Sequence, residues 1–269
     1  AFGREQKLED TTLGWRFINP ALKSAHGVDT MPETGEAVAA MYGISRADQD
    51  RFALISQTKA AAAQESGRLA SEIVAVEISQ AKGDPFPFNK DEHPRATTAE
   101  GLARLKPVVR AEGSVTAGNA SGLNDGAAAM LVASEGAAVR HGLTPRARVL
   151  GMAAAGVAPR IMGVGPIEAA RKLLARKNLG MNQIDVIELN EAFASQAIAT
   201  LRELGVDPFH DPRVNPNGGA IALGHPLGMT GARLAITAVE ELHRGGARYA
   251  LAFLCVGVGQ GLAVLMERV

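Results

Sequence analysis

The chain is predicted to be an α/β protein built on a mixed sheet with helices on both faces. Three observations predict it. Helical and strand patterns alternate after Pro145. Residues 249–256 are apolar throughout, as a strand buried on both faces must be. A glycine turn, 257–261, then leads straight into a second apolar strand, 262–266, a hairpin among elements otherwise joined by helices.

The elements follow in order. Residues 1–113 are polar and irregular. Ser45 and Asp48 resemble a capping box with Asp in place of Glu or Gln. Phe52, Ile55, Ala60 and Ala63 then recur at helical spacing, and Gly67 can close the helix. Pro32 suits the first turn of a shorter helix. The proline-rich stretch 84–94 reads as surface loop. Residues 116–126 form a turn-rich loop, 127–133 a buried strand, and 135–141 a helix ended by Gly142. Strands are expected over 147–154 and 184–189. Helices are expected over 167–176 behind Pro166, over 192–204, and over 232–242. Nothing repeats at a period of 20–50 residues.

Composition bounds the function. The 269 residues carry 28 Lys+Arg against 28 Asp+Glu, which argues against a nucleic-acid or anionic-membrane surface while leaving room for a local basic patch. The single cysteine, Cys255, precludes an internal disulfide and makes a reducing compartment the default. No run of eighteen apolar residues suggests a membrane span, and neither a secretory leader nor a peroxisomal tail is read. The expectation is a cytoplasmic protein.

The richest segment is 215–233, where five glycines surround His225 and the run continues into a helix. Glycine inside a helix or strand costs about 0.5–1 kcal/mol relative to Ala, which a chain accepts where backbone must approach something closely. His225 titrates near neutral pH. The run therefore reads either as an active-site wall or as a tight helix crossing around a satisfied histidine. Cys255 ends a buried strand just before Gly257, Gly259 and Gly261, whose N–H groups could serve as oxyanion donors; a lone buried thiol is the plainer alternative. A dinucleotide fingerprint is rejected, because Leu262 stands where its third glycine is needed and a strand follows instead of a helix. Asn190 sits at another strand-to-helix junction, either as a helix N-cap or as a polar group at the sheet's edge. A single Cys and scattered His fit no metal pattern.

Three motifs coincide in order: Asn190-Glu-Ala-Phe193, Gly224-His225-Pro226 and Cys255-Val-Gly257. A fourth, over 117–126, lies upstream. Together they resemble the thiolase family over essentially the whole chain. The segments 26–34, 91–95 and 255–261 resemble its degradative 3-oxoadipyl-CoA type. The resemblance implies a layered αβαβα fold with mixed sheets. It implies CoA-dependent cleavage of a 3-oxoacyl-CoA to acetyl-CoA and a shortened acyl-CoA, with no permanently bound cofactor and CoA as co-substrate. By match, Cys255 is the acid/base cysteine and His225 activates the nucleophile and donates to the thioester oxygen. Asn190 holds a water in that oxyanion hole, and Gly257 offers an N–H to the second. Met31, Ala117, Gly118, Ser121, Met162 and Phe193 match positions lining the pantetheine tunnel. Two oxyanion holes suit a cleavage that develops charge on two oxygens. A thiol, with pKa about 8.5, becomes acid and base once a neighbour lowers it.

One departure stands out. The family's cycle starts from a second cysteine, a nucleophile in the first half, and this chain has only Cys255. The resemblance thus implies a loop domain over 1–113, the tail of the N-terminal half over 114–145, and the C-terminal half over 146–269. The N-terminal half is then incomplete, as in a truncated or trimmed chain beginning at Ala1. Alone it is expected to be inactive and to fold marginally; the complete protein is expected to be a homodimer or homotetramer. The alternatives are a non-catalytic thiolase-like CoA-binding or interaction protein and a decarboxylating condensing enzyme of the same fold.

Overall fold

The sheet that organises the molecule has the strand order β3 (Ala147–Gly156), β6 (Gln260–Arg268), β5 (Tyr249–Val256), β4 (Val186–Leu189), with β4 and β5 parallel and the other pairs antiparallel. It is the mixed sheet expected. The computed structural model describes residues 14–269.

Before the sheet come α1 (Pro20–His26), α2 (Met31–Met41) and α3 (Arg46–Glu65). Local chemistry starts each one. Asn19 Oδ1 accepts from the Ala21 N–H at 2.9 Å. Glu33 Oε2 accepts from the Thr30 N–H at 2.6 Å, and Ser45 Oγ from the Asp48 N–H at 3.0 Å. These caps satisfy N–H groups that have no partner within the helix. Gly67, at φ +75°, follows α3 as the spacing predicted.

The stretch 84–94 is not all loop. β1 (Val76–Ile78) pairs antiparallel with β2 (Phe86–Phe88). A proline is tolerated in β2 because a two-stranded ribbon consists of edges, where a missing N–H costs little. Then come α4 (Ala99–Ala103) and α5 (Glu135–Arg140). Residues 127–133 overturn an expectation. They form no ladder and are exposed, Leu131 at 87% and Val132 at 79%. The apolar run reads as a buried strand, but a strand exists only with a neighbour to take its N–H and C=O groups, and no described residue supplies one.

From β3 (Ala147–Gly156) the chain runs through α6 (Gly165–Lys177), β4 (Val186–Leu189), α7 (Ala194–Glu203), α8 (Ala220–Leu223) and α9 (Thr230–Arg244) to β5 (Tyr249–Val256) and β6 (Gln260–Arg268). Alternation along β5 assigns the two faces. Leu251 and Phe253 join Ala170, Leu173 and Leu174 of α6 and Ile198 and Leu201 of α7. Ala250 and Ala252 join Leu234, Ala238 and Leu242 of α9. Each fully buried Leu or Phe contributes about 1.5–3 kcal/mol of transfer free energy. Phe52 and Ala53 of α3 share the first cluster with Ile221, so the region before the sheet is packed onto the C-terminal part.

α9 also carries a polar stripe. Arg233, Thr237 and Glu241 recur every four residues on one helix face. Arg68 Nε donates to Glu241 at 2.5 Å, and Thr237 Oγ1 to Glu72 at 2.7 Å. Arg233 donates to the buried Glu188 of β4 at 3.3 Å.

Candidate active site

Because β4 and β5 are parallel, they end at the same edge of the sheet, where open α/β sheets bind ligands. Asn190 follows β4 directly, and its N–H donates to the Phe253 carbonyl at 3.1 Å. That bond places it beside the end of β5, which carries Cys255. α7 is not capped by Asn190, since its N-cap is Phe193. The capping alternative therefore falls, and the Asn190 side chain serves the edge.

His225 arrives on the loop between α8 and α9. Asn190 Nδ2 lies 3.3 Å from His225 Nε2, and His225 Nδ1 lies 2.7 Å from Thr230 Oγ1. The Thr230 hydroxyl donates its proton to the Pro226 carbonyl at 2.9 Å. It can then only accept from the ring, so Nδ1 bears the hydrogen and the Nε2 lone pair faces Asn190. Burial, and then the nearby positive charge of Arg233, lower the His225 pKa and keep the ring neutral. Asn190 Oδ1 is buried with no partner among the described residues. An orphaned acceptor beside a histidine base is a place for a water or a substrate donor.

Cys255 is buried in a cluster with Val115, Met162, Ala192 and Phe193. Its pKa is not lowered by a neighbour, as the thiol's task had suggested. Burial pushes it up to about 12. The thiol therefore rests protonated. Gly257 follows it and shares a surface hollow of about 440 Å³ with Met31, Trp15, Phe17 and Val258.

Glu191 fixes this edge from beneath. It is buried, and its carboxylate accepts from Ser56 Oγ at 2.6 Å, Asn215 Nδ2 at 2.7 Å and the Ile221 N–H at 3.2 Å. One side chain thereby ties β4's exit to α3 and to α8. Burial raises its pKa against these three bonds. The 116–126 loop is stitched on by Ser121, whose N–H donates to the Ala192 carbonyl at 3.0 Å, and by an Ala120–Phe193 bridge.

Residues 143–268 match the model described as "Thiolase, C-terminal domain", and residues 4–136 match "Thiolase, N-terminal domain". The chain belongs to the thiolase family. A "Beta-ketoadipyl-CoA thiolase" of Pseudomonas aeruginosa is 64% identical over 100% of this chain and 67% of its own length. A "3-oxoadipyl-CoA/3-oxo-5,6-dehydrosuberyl-CoA thiolase" of Escherichia coli is 58% identical over the same shares. The crystal structure of the Bacillus anthracis acetyl-CoA acetyltransferase superposes with a TM-score of 0.88 at 42% identity, over 100% of this chain and 66% of that one. The chain thus spans about two thirds of the length of these thiolases. Their fold is the layered α/β architecture expected.

Of the residues matched to the thiolase motifs, the structure brings Asn190 against His225, and Cys255 against Met162 and Phe193. Ser121 is bonded to the Asn190–Phe193 loop, and Met31 meets Gly257 across the hollow. Ala117 and Gly118 form the turn that opens the 116–126 loop, and Gly118 packs against Leu102 and Leu105 rather than against these side chains. Thr230 and Glu191 carry no assignment from the sequence. Thr230 could have been noticed as a hydroxyl opening the helix five residues after His225, and Glu191 as a carboxylate inside an otherwise apolar junction.

Proposed function

We propose that this chain acts in thiolase chemistry, the CoA-dependent cleavage of a 3-oxoacyl-CoA to acetyl-CoA and a shortened acyl-CoA, with 3-oxoadipyl-CoA as substrate. The observation that carries the reading is the His225 ring, its free Nε2 lying 3.3 Å from Asn190 Nδ2, at the sheet edge where β5 ends with the protonated thiol of Cys255. The names of the similar thiolases favour the dicarboxylic substrate.

In this reading Nε2 of His225 first takes the proton of the nucleophilic thiol, and the N–H so formed, with the Asn190-bound water, stabilises the thioester oxygen, while the Gly257 N–H meets the second developing oxyanion. A thiol held at high pKa suits the order of events. Cys255 first gives its proton to the acetyl-CoA carbanion as the carbon–carbon bond breaks. The resulting thiolate is a strong base and takes the proton of the incoming CoA thiol, which attacks the acyl group. Met31, Ala117, Gly118, Ser121, Met162 and Phe193 would line the path of the pantetheine arm. No permanent cofactor is required. We further propose a cytoplasmic homodimer or homotetramer; no helix among the described residues is long and apolar enough to cross a membrane.

The acyl group needs a second thiol to carry it, and Cys255 is the single cysteine of these 269 residues. A polypeptide of these residues alone should therefore show no CoA-dependent loss of the 3-oxoacyl-CoA absorbance; steady cleavage by it would refute this. In the full-length natural protein, Cys255→Ser should lower kcat about a hundred- to ten-thousandfold, the usual loss for a general acid/base, with CoA affinity unchanged by calorimetry. Unchanged turnover with intact CoA binding would instead favour a non-catalytic role for this thiol.

A further inference from the structure

We propose that Asn124 is a positioning residue that fixes His225 through the histidine's backbone. The inference rests on the thiolase reading of His225.

Three observations converge on it. The His225 N–H has two acceptors, both from the loop before α5: the Gly122 carbonyl at 3.1 Å and Asn124 Oδ1 at 3.2 Å. The other end of the Asn124 amide faces His93, with Nδ2 3.4 Å from Nδ1, so the amide's orientation is set from the region before the sheet. Finally, the two loops fit without room for a methyl group. A Cβ on Gly224, at φ +90°, would meet Asn124 Oδ1 at 2.4 Å, and one on Gly126 would meet the Pro226 ring at 2.6 Å.

Thr230 sets which nitrogen of the ring is free, but it does not set where the ring stands. That depends on the backbone at 224–226, a glycine turn with little stiffness of its own. Asn124 adds stiffness by sharing the N–H of the reacting residue itself with the Gly122 carbonyl, so that the turn is held from two points of the facing loop. A catalytic group displaced by 1 Å can lose about a hundredfold in rate, so a single backbone bond matters here in a way it does not elsewhere on the surface. The Asn124 side chain is exposed, so truncating it leaves the core intact.

The test uses the full-length natural protein and the variants Asn124→Ala and Asn124→Asp. Asn124→Ala removes one of the two acceptors and leaves the Gly122 carbonyl to hold the N–H alone. It should lower kcat at least about tenfold with KM within about twofold, and it should shift the His225 ring ¹⁵N signals and spread them over more than one position. Asn124→Asp keeps an oxygen on the His225 N–H and should recover both readouts at least in part. An Asn124→Ala protein with ordinary kcat and unmoved ring signals overturns the proposal, as does an Asn124→Asp protein as impaired as Asn124→Ala. Were the unmodified protein to cleave no 3-oxoacyl-CoA, the thiolase reading would fail while the ring signals still decided the role of Asn124. Should Asn124→Ala lose its cooperative melt, Asn124→Ser removes the same acceptor reach with a smaller perturbation, and the same two readouts apply.

Discussion

Thr230 shows how one hydroxyl decides the chemistry of a neighbour. Its proton is committed to the Pro226 carbonyl, so it accepts from His225 Nδ1 and leaves Nε2 as the base. Thr230→Val keeps the shape and removes the acceptor. The ring is then free to carry its hydrogen on Nε2, the wrong atom for a base. We expect kcat to fall about ten- to a thousandfold, by the logic that makes tautomer-setting partners important in hydrolytic triads, with Thr230→Ser near the unmodified rate. Kinetics on both variants checks this; equal loss in both would show that packing of the Thr methyl, not its oxygen, was at stake. Some of this site was legible beforehand. His225, Cys255 and Asn190 lie in short contiguous motifs. Thr230 lies only five residues from His225, but which nitrogen its hydroxyl meets depends on the fold of the turn between them, and Glu191 takes its meaning from a partner met in space. Ser56, which donates to Glu191, is 135 residues away, and nothing local to either announces the bond.

At the scale of elements, a junction of two glycines seats α6 against the sheet. A Cβ on Gly261 of β6 would lie 2.1 Å from the Gly165 carbonyl oxygen and 2.4 Å from the Pro166 nitrogen, and one on Gly165 would meet Gln260 backbone at 2.6 Å. These are backbone atoms, so no side chain can rotate away. Gly261→Ala must push the start of α6 off β6, next to the turn that carries Gly257. We expect a loss of about 3 kcal/mol or more, beyond the usual 1–3 kcal/mol of overpacking, read as a lower urea midpoint at unchanged slope. A midpoint within error of the parent would mean that this crossing is looser than the structure shows. The strands and helices after Pro145 were legible because each repeats its own period over enough residues. Residues 127–133 and β2 were misread for one shared reason. Pattern reports what a segment could bury, whereas strand pairing depends on which other segment comes alongside, and that is not written locally.

For the whole molecule, the buried charges between α9, β4 and the region before the sheet set a dependence on pH. Glu188 is fully buried in β4, and Arg233 is its one hydrogen-bond donor among the described residues. Burial dominates the nearby Arg233 charge, and the carboxylates of Glu72, Glu191 and Glu241 add to it, so the Glu188 pKa rises from 4.5 to about 8. An acid whose folded pKa is raised binds its proton more tightly folded than unfolded. Its contribution to stability is complete below the unfolded value near 4.5 and is lost as pH climbs through about 8. Glu188→Gln imitates the protonated form at every pH. The parent should therefore lose at least about 1 kcal/mol relative to this variant between pH 5 and pH 9, and urea melts of both across that range measure it. A constant difference would place the Glu188 proton at the same affinity in both states. It would mean that the Arg233 pair, not burial, governs the junction holding the site helix to the rest of the fold.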